Sequence, residues 1–297
     1  MDLRVLRYFL AVAREESISG AAESLHLSQP TLSRQLMDLE EELGKPLFIR
    51  GSRRITLTEQ GTLLRKRASE ILDLVEKTTA ELTADEDAIA GDVRIGAGET
   101  RGMHFLTQTA REVQRQYPQV HFHISSGDTM DVTEKLDKGL IDFGLLFEPI
   151  NTAKYSVYHL PIHDIWGVLM RRDSPLAQKE SISPGDLASK PLITSRLMGE
   201  THPLDTWFQK SLHTLNIVAT YSLLYNASLM VDDGLGYALC LGGIINTTGD
   251  STLCFRPLTP EVRANMGVVW KKFQVFSKAS EKFLSVLRQE HSKTPQD

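Results

Sequence analysis

The chain has 297 residues, of which 41% are hydrophobic and 24% are charged, and its formal net charge is -5. This length predicts more than one domain, and the composition is that of a soluble globular protein. No apolar run reaches the roughly 18 residues of a membrane-spanning helix, so we expect no membrane partner. The acidic balance argues against nonspecific coating of nucleic acid, so any attraction to DNA must come from local clusters of basic residues.

The first residues and the cysteines both favour the cytoplasm. Met1–Arg4 lacks the basic start and apolar stretch of a secretory signal. The only two cysteines, Cys240 and Cys254, cannot build a disulfide framework. Both lie in apolar runs, which favours buried thiols that behave as small hydrophobes. A redox switch is the alternative that the sequence leaves open.

Residues 1–57 contain three short helical periods. The first covers Asp2–Glu16, Ser19 is a candidate cap for the second, and Ser28 is the candidate cap of the third. Pro30 falls in the first turn of that third helix, where a missing N–H costs little. The apolar stripe of this helix comprises Leu32, Leu36, Leu39 and Leu43.

The opposite face of the third helix is small, hydroxylated and carries one arginine. Pro30 and Arg34 lie opposite the stripe, and Thr31 and Ser33 flank them. A helix start of this kind can enter a major groove and approach base edges. The alternative is a small helical bundle whose outer face packs against another part of the protein.

A basic hairpin is predicted to follow as a wing. Apolar residues alternate on both sides of the turn at Gly51-Ser52, which indicates two short strands between Lys45 and Leu57. Its basic side chains suit contacts with phosphates, which hold register without reading sequence. These side chains are Lys45, Arg50, Arg53 and Arg54.

A single long helix of nearly thirty residues is predicted after Thr58. Its apolar or small residues alternate in steps of four and three, which is typical of a heptad seam. We interpret it as a dimerisation helix; the alternative is an amphipathic helix packed on its own chain. The seam residues are Leu57, Gly61, Leu64, Ala68, Ile71, Val75, Thr78 and Leu82.

Beyond residue 91, strand-like and helix-like segments alternate, which predicts parallel strands joined by right-handed crossovers. Ligands in such sheets bind beyond the carboxyl ends of the strands. The first three of those ends carry Glu99-Thr100, Gly127-Asp128 and Phe147-Glu148. The later strands are predicted at Ile165–Met170, Leu192–Ser195, Tyr221–Leu224, Tyr237–Leu241 and Met266–Phe273, before a helix over Ser277–Glu290.

Several motifs together resemble the LysR-type transcriptional regulators over essentially the whole chain. The run Ala21–Ser33 is similar to the helix-turn-helix of that family, and Leu47–Arg50 and Leu57–Gly61 are similar to its wing and linker start. In the second half, Gly139–Leu145 and Gly234–Leu239 look like segments of the two effector subdomains.

The resemblance implies a multidomain fold: an all-α winged helix-turn-helix domain, a linker helix and an α/β effector domain like the periplasmic binding proteins. The implied limits are 1–57 for the DNA-binding domain, 58–90 for the linker and hinge, and 91–297 for the effector domain. Subdomain I would comprise 92–161 and 266–297, and subdomain II would comprise 162–265. Implied partners are double-stranded DNA, a small-molecule effector, further copies of the chain as a dimer or dimer of dimers, and RNA polymerase if the protein activates.

The resemblance also assigns candidate residues. The implied DNA contacts are Ser28, Gln29, Pro30, Thr31, Ser33, Arg34, Arg50, Arg53 and Arg54. The implied effector contacts are Glu99, Thr100, Arg101, Gly127, Asp128, Phe147, Thr194 and Ser195.

The implied pocket departs from the family pattern in its charge. Glu99 and Asp128 would place two acids at the cleft, with Arg101 nearby. If both acids point inward, a dicarboxylate would be repelled. A cationic or polyol-like effector, or an internal ion pair with Arg101, is then the expectation.

No other motif points to chemistry. His121 and His123 alternate on one strand face but lack a third metal ligand, so an ordinary edge-strand face is favoured over a metal site. Nucleophile elbows, phosphate loops and zinc-protease helices do not occur. We therefore predict no enzyme activity, cofactor or metal. A solute-binding protein and a metabolic enzyme are the competing hypotheses.

Overall fold

The computed structural model describes residues 1–51, 54–83, 89–195, 203–209 and 214–291. The chain divides into two compact units, unit 1 over Met1–Ala84 and unit 2 over Asp85–Asp297. Among the described residues the helices are α1 Leu3–Glu15, α2 Ile18–Ser24, α3 Gln29–Leu43, α4 Glu59–Thr83, α5 Met103–Gln116, α6 Thr129–Asp137, α7 Pro184–Leu187, α8 Pro203–Phe208, α9 Leu224–Asp232 and α10 Lys278–His291.

Unit 1 begins with three helices whose limits follow from their caps. The side chain of Asp2 accepts a hydrogen bond at the start of α1, and Ser28 caps α3 as predicted. The predicted cap of α2 was wrong: Ser17, not Ser19, accepts from the Gly20 N–H, because the helix begins two residues earlier than expected. Gly44 ends α3 at a φ of 63°, in the left-handed region that favours glycine.

The core of unit 1 forms where these helices meet the wing. Leu32, Leu36 and Leu39 of α3 are buried as the stripe predicted, whereas Leu43 at its end is exposed. The wing consists of β1 Phe48–Arg50 and β2 Ile55–Leu57, paired antiparallel. Leu47, just before β1, is buried in the same cluster as the helices, which holds the wing against them.

The long helix α4 packs partly on its own chain. Within the described residues it spans the 25 residues Glu59–Thr83, and the rest of the predicted length lies outside them. Of the predicted seam, Gly61 and Ala68 are buried, and Leu64 and Ile71 pack against the core of unit 1, so its first half supports the alternative of intrachain packing. Leu82, the last residue of the predicted seam, is exposed, as are Leu63 and Leu74 outside the seam. No helix in the described parts of the chain has both the length and the apolar character needed to cross a membrane.

Unit 2 is built on a nine-stranded sheet among the described residues. Its order is β4-β3-β5-β11-β6-β9-β7-β8, and β10 pairs with β6. These strands are β3 Gly91–Ala97, β4 Val120–Ser126, β5 Phe143–Phe147, β6 Tyr155–Arg171, β7 Leu192–Ser195, β8 Ile217–Tyr221, β9 Tyr237–Leu241, β10 Leu253–Pro257 and β11 Arg263–Lys271.

Two long strands join the subdomains. β6 is 17 residues long, and its Tyr155–Ile165 part pairs antiparallel with β11 while its later part pairs with β9 and β10. Parallel pairs occur on both sides: β3 with β4 and β5, and β7 with β8 and β9. The predicted α/β architecture with crossover strands is therefore confirmed, and both predicted subdomain limits fall inside the crossing strands.

Two sequence-based assignments in unit 2 were wrong in extent. Only Ile165–Met170 was predicted as a strand, but β6 begins ten residues earlier because polar and apolar residues alternate through its half-exposed first part. Tyr221–Leu224 was predicted as a strand, yet β8 ends at Tyr221 and Leu224 begins α9. The apolar run there spans a strand end and a helix start, which hydrophobicity alone does not separate.

Candidate DNA interface and ligand cleft

The start of α3 presents the predicted polar face to solvent. Ser28, Gln29, Pro30, Thr31 and Arg34 are exposed, and Ser33 is half-buried. The hydroxyls of Ser28 and Thr31 lie 2.7 Å apart, and the Ser28 oxygen accepts from the Thr31 N–H at 3.4 Å. Within the described chain, Arg34 forms no hydrogen bond or ion pair, so its guanidinium donors are available to another molecule.

In the described residues, the wing arginines Arg50 and Arg54 each form one long ion pair. A guanidinium nitrogen of Arg50 lies 3.7 Å from a carboxylate oxygen of Glu40, and one of Arg54 lies 3.6 Å from Glu16. Both arginine side chains are more than half exposed and both distances are long, so each pair contributes little to stability and the arginine can exchange its carboxylate for a phosphate. Arg53 lies outside the described residues.

Glu40 was missed in the sequence, and it positions the wing. Its Oε1 accepts hydrogen bonds from the N–H groups of Leu47 and Phe48, at 2.6 and 3.1 Å. The start of the wing is thereby tied to α3. A glutamate seven residues before an apolar strand carries no sequence signal of this contact, because it depends on how the chain turns after Gly44.

In unit 2 the loop after β3 carries three predicted effector contacts. Glu99 accepts a hydrogen bond from the backbone N–H of Leu224, the first residue of α9. Thr100 is buried and donates to Asp164 of β6 at 2.5 Å, while its oxygen accepts from the Gly102 N–H at 3.0 Å. Burial raises the pKa of Asp164, although the hydrogen bond from Thr100 acts in the opposite direction.

A cavity of about 310 Å³ lies beside this loop, between the two subdomains of unit 2. Its lining brings Glu99, Thr100 and Arg101 together with residues of β4, α5 and the segment after β9. The sequence analysis missed most of the remaining lining, because those residues come from segments far apart in the chain. The lining is Ala97, Gly98, Glu99, Thr100, Arg101, Met103, His104, Ile124, Ser126, Gly243 and Ile244.

Asp128 points toward its own helix rather than the cavity. Its Oδ1 accepts from the Asp131 N–H at 3.0 Å, and Asp131 accepts from the Asp128 N–H at 3.2 Å, which completes a capping box at α6. Gly127 precedes it, where an added Cβ would come within 2.7 Å of the Asp131 Cβ. The hypothesis of two acids facing the cavity therefore fails for Asp128, and only Glu99 lines it.

The other predicted effector contacts are dispersed. Phe147 is half-buried and packs against the cores of both subdomains. Thr194 is buried, and its hydroxyl has no hydrogen-bond partner in the described part of the chain. Ser195 is half-buried at the end of β7. None of these three residues lines the 310 Å³ cavity.

Arg101 does not form the predicted ion pair with a cleft acid. Within the described chain no ion pair of Arg101 occurs; instead its side chain lies over Gly243, where an added Cβ would come within 2.5 Å of the arginine Cδ. Gly243 has a φ of 78°, so glycine is favoured there for two reasons. The Arg101 side chain thus reaches from subdomain I onto subdomain II.

Both cysteines are buried, as the favoured interpretation predicted. Burial raises the pKa of the Cys240 thiol from 9.0 to about 12, and burial also raises the pKa of Cys254. Cys240 of β9 lies opposite Gly167 of β6, and Cys254 of β10 lies opposite Met170 on the other side of β6. Strand β6 therefore separates the two thiols. This arrangement favours inert thiols over a disulfide switch.

We expect iodoacetamide to leave Cys240 unmodified in the native protein at pH 7.5. A pKa of about 12 instead of 9.0 lowers the thiolate fraction roughly 1000-fold, and the thiolate is the reactive species. Mass spectrometry of alkylated peptides measures this, with the urea-unfolded chain as the control. Native alkylation as fast as in urea would contradict the placement of Cys240.

The histidine pair on β4 shows no metal site. His123 Nε2 lies 3.2 Å from a carboxylate oxygen of Asp92, and His121 is an exposed neighbour on the same strand. Across the described ranges, no group of three or more His, Cys, Asp or Glu residues could hold a metal ion.

Comparison with known proteins agrees with both halves of this description. Residues 3–62 match the family described as "Bacterial regulatory helix-turn-helix protein, lysR family", and residues 86–292 match the "LysR substrate binding domain". The Hca operon transcriptional activator HcaR of Escherichia coli K12 is 28% identical over 295 residues, covering 97% of this chain and 98% of HcaR. The regulator BsdA of Bacillus subtilis is 33% identical over 198 residues, covering 66% of this chain and 67% of BsdA.

Solved structures show the same fold. CbnR, a LysR family transcriptional regulator, matches with a TM-score of 0.74 at 18% identity, covering 98% of this chain and 99% of CbnR. A full-length OxyR variant from Pseudomonas aeruginosa matches with a TM-score of 0.54 at 27% identity, covering 97% of this chain and all of that chain.

A helix-turn-helix unit joined to a two-subdomain α/β unit defines a DNA-binding regulator with a ligand-binding domain. The chain belongs to the LysR family of bacterial transcriptional regulators. The predicted family and fold class are therefore confirmed, and the relatives are transcriptional regulators rather than enzymes.

Proposed function

We propose that this regulator reads its operator with the start of α3. The observation that carries the proposal is the exposed face of Ser28, Gln29, Pro30, Thr31 and Arg34, with the Arg34 guanidinium unengaged in the described chain. Small side chains let the helix approach base edges closely, and arginine forms bidentate bonds with guanine in the major groove. Ser33, half-buried, lies at the edge of this face.

The wing supplies the contacts that fix register. Arg50 at the end of β1 and Arg54 just before β2 are exposed, and in the described part of the chain each has a single long ion pair. Phosphate oxygens offer them stronger, charge-assisted bonds. Lys45 and Arg53 belong to the same basic set by sequence. Release of counterions from the DNA then makes binding steeply dependent on salt.

The cavity of unit 2 is proposed to bind the small-molecule effector. Glu99, Thr100 and Arg101 are its central contacts. The other contacts implied by the family resemblance, Gly127, Asp128, Phe147, Thr194 and Ser195, lie outside its lining. The crossing strands β6 and β11 join the subdomains. A ligand that binds one relative orientation of the subdomains more tightly than another increases the population of that orientation. The proposed domain limits are 1–57, 58–90 and 91–297.

The effector is proposed to act on DNA through the oligomer that the protein forms. We infer a dimer, formed in part through α4, and a dimer of dimers in which effector binding alters the spacing or bend of the bound operator. The solved structure of full-length CbnR complexed with its target DNA shows a family member on DNA, which supports the DNA-binding part of this proposal. The protein would act in the cytoplasm, without catalytic activity, and would contact RNA polymerase when it activates.

Replacing Arg34 with alanine should weaken operator binding by about 1–3 kcal/mol and relax base preference at one position, because a base-edge contact is lost. Mobility-shift titrations on operator and on random DNA measure both affinities. Arg111→Ala is the matched control, since Arg111 is an exposed arginine on α5 of unit 2. An equal loss on both DNAs would make Arg34 a phosphate contact and overturn its assignment as a base reader.

A further inference from the structure

The turn between β11 and α10, Lys272–Val275, carries the two most exposed large apolar side chains of the described residues. Phe273 is 100% exposed and Val275 is 92% exposed. Phe273 also has a φ of 60°, in the left-handed region that a bulky residue adopts only at an energetic cost. Burial of the ring within the chain does not offset this cost, which points to a contact with another molecule.

The Phe273 turn, as we call Lys272–Val275, is anchored at both ends. The Lys272 N–H donates a hydrogen bond to the carbonyl oxygen of Lys154 at 3.2 Å. Phe276, directly after the turn, stacks on Phe143 with the ring centroids 5.1 Å apart. The exposed apolar side chains are therefore presented on an ordered backbone, which lowers the entropy cost of binding a partner.

A groove of about 460 Å³ runs along α10 beside the Phe273 turn, and we call it the α10 groove. Its apolar lining comes from Leu284, which is buried, and from Phe276, which is half-buried. A cavity of about 150 Å³ is enough to hold benzene, so the α10 groove has room for a phenyl ring. The exposed Glu281 also lines it, and its carboxylate has no ion pair or hydrogen bond in the described part of the chain.

The Phe273 turn and the α10 groove carry opposite charges. Lys272 is exposed beside Phe273, and among the described residues its ammonium group has no partner. Arg288, further along the groove, is already engaged, because its guanidinium lies over the Trp270 ring at 5.4 Å from the centroid. The free charge of the turn is thus positive and that of the groove is negative, so contact between them is electrostatically favourable.

We propose that the Phe273 turn of one copy of this chain inserts into the α10 groove of a second copy, with Lys272 opposite Glu281. The turn and the groove adjoin on one chain, so a single patch supplies both halves of a two-fold symmetric interface. This interface belongs to unit 2 and is separate from α4. It supplies the second contact that a dimer of dimers needs, and it does not depend on the effector cavity.

Sedimentation equilibrium of the full-length Phe273→Asn variant tests this interface. Asparagine tolerates a left-handed backbone, so the variant should fold with native stability in urea. It should lose one association step: that step should weaken at least about tenfold, and the largest species should have half the native mass. Met130→Asn, which removes another exposed apolar side chain, should assemble like the native chain.

Reversal of the two charges tests the pairing within the interface. Lys272→Glu and Glu281→Lys should each weaken association about tenfold, because each places like charges opposite one another. The double variant should recover most of the lost affinity, as expected for residues in direct contact. Loss of folding cannot explain such a recovery.

The masses also separate this interface from the one inferred at α4. A Phe273→Asn protein that remains a dimer supports both interfaces, and a monomeric one supports the proposal while contradicting the role of α4. Equal masses for the native and Phe273→Asn proteins would overturn the proposal. A double charge variant that associates no better than the single variants would overturn it as well.

Discussion

Replacing Gly61 with alanine should destabilise unit 1 by about 2–3 kcal/mol and impair DNA binding with it. An added Cβ would lie 2.1 Å from the carbonyl oxygen of Leu47, a backbone atom at the base of the wing. That oxygen also accepts a hydrogen bond from the Thr58 N–H at 3.0 Å. The Thr58 hydroxyl donates to the carbonyl oxygen of Pro46 at 2.8 Å. The wing can therefore make room only by breaking the contacts that fix it to α4.

The matched control is Gly20→Ala in α2. There the nearest atom to an added Cβ is the Cβ of Ser17 at 3.6 Å, an ordinary contact, so alanine should stabilise the helix or leave it unchanged. Far-UV circular dichroism in urea measures the helical transition, and a mobility shift measures DNA binding. Native stability in Gly61→Ala would show that the wing does not approach α4 so closely.

Replacing Phe9 with alanine should cost unit 1 about 3–5 kcal/mol, the usual range for removing a fully buried aromatic ring. Phe9 of α1 is completely buried, and its ring centroid lies 5.2 Å from that of Phe48 in β1. The lost ring leaves a cavity between the helices and the wing. Both α3 and the wing depend on this core, so operator affinity should fall together with stability.

Tryptophan fluorescence gives this prediction an internal control. Trp166, Trp207 and Trp270 are the only tryptophans, and all three belong to unit 2. In Phe9→Ala, the unfolding transition followed by circular dichroism should therefore occur at a lower urea concentration. The unfolding of unit 2, followed by tryptophan fluorescence, should change far less. Leu3→Ala, on the exposed side of α1, should leave both transitions near native. A Phe9→Ala protein as stable as the native chain would contradict the described core.

The sequence predicted the parts of the molecule that depend on local order. Ser28 and Pro30 define the start of α3 within one turn, and the apolar period identifies which side of α3 is buried. The same holds for β4, where Val120, Phe122 and Ile124 alternate with polar residues, and for β5, which is a short continuous apolar run. These features need no knowledge of distant residues.

The ligand cleft was predicted less completely because distant contacts build it. Asp128 looked like a second cleft acid, yet it caps α6, since a carboxylate before a helix bonds locally first. Glu99 meets Leu224 across 125 positions, and Arg101 meets Gly243 in a different subdomain. No spacing rule links such pairs, so His104, Ile124 and Ile244 also escaped the sequence analysis.

The central claim is that α3 of this chain enters the major groove of its operator. Dimethyl sulfate footprinting of the native protein on the DNA upstream of its coding region tests it most directly, because the reagent methylates guanine N7 in that groove. The claim predicts two clusters of protected guanines whose centres lie about 10 base pairs, or a multiple of that, apart. Binding without any protected guanine N7 in DNA that contains guanines at the bound site would contradict it.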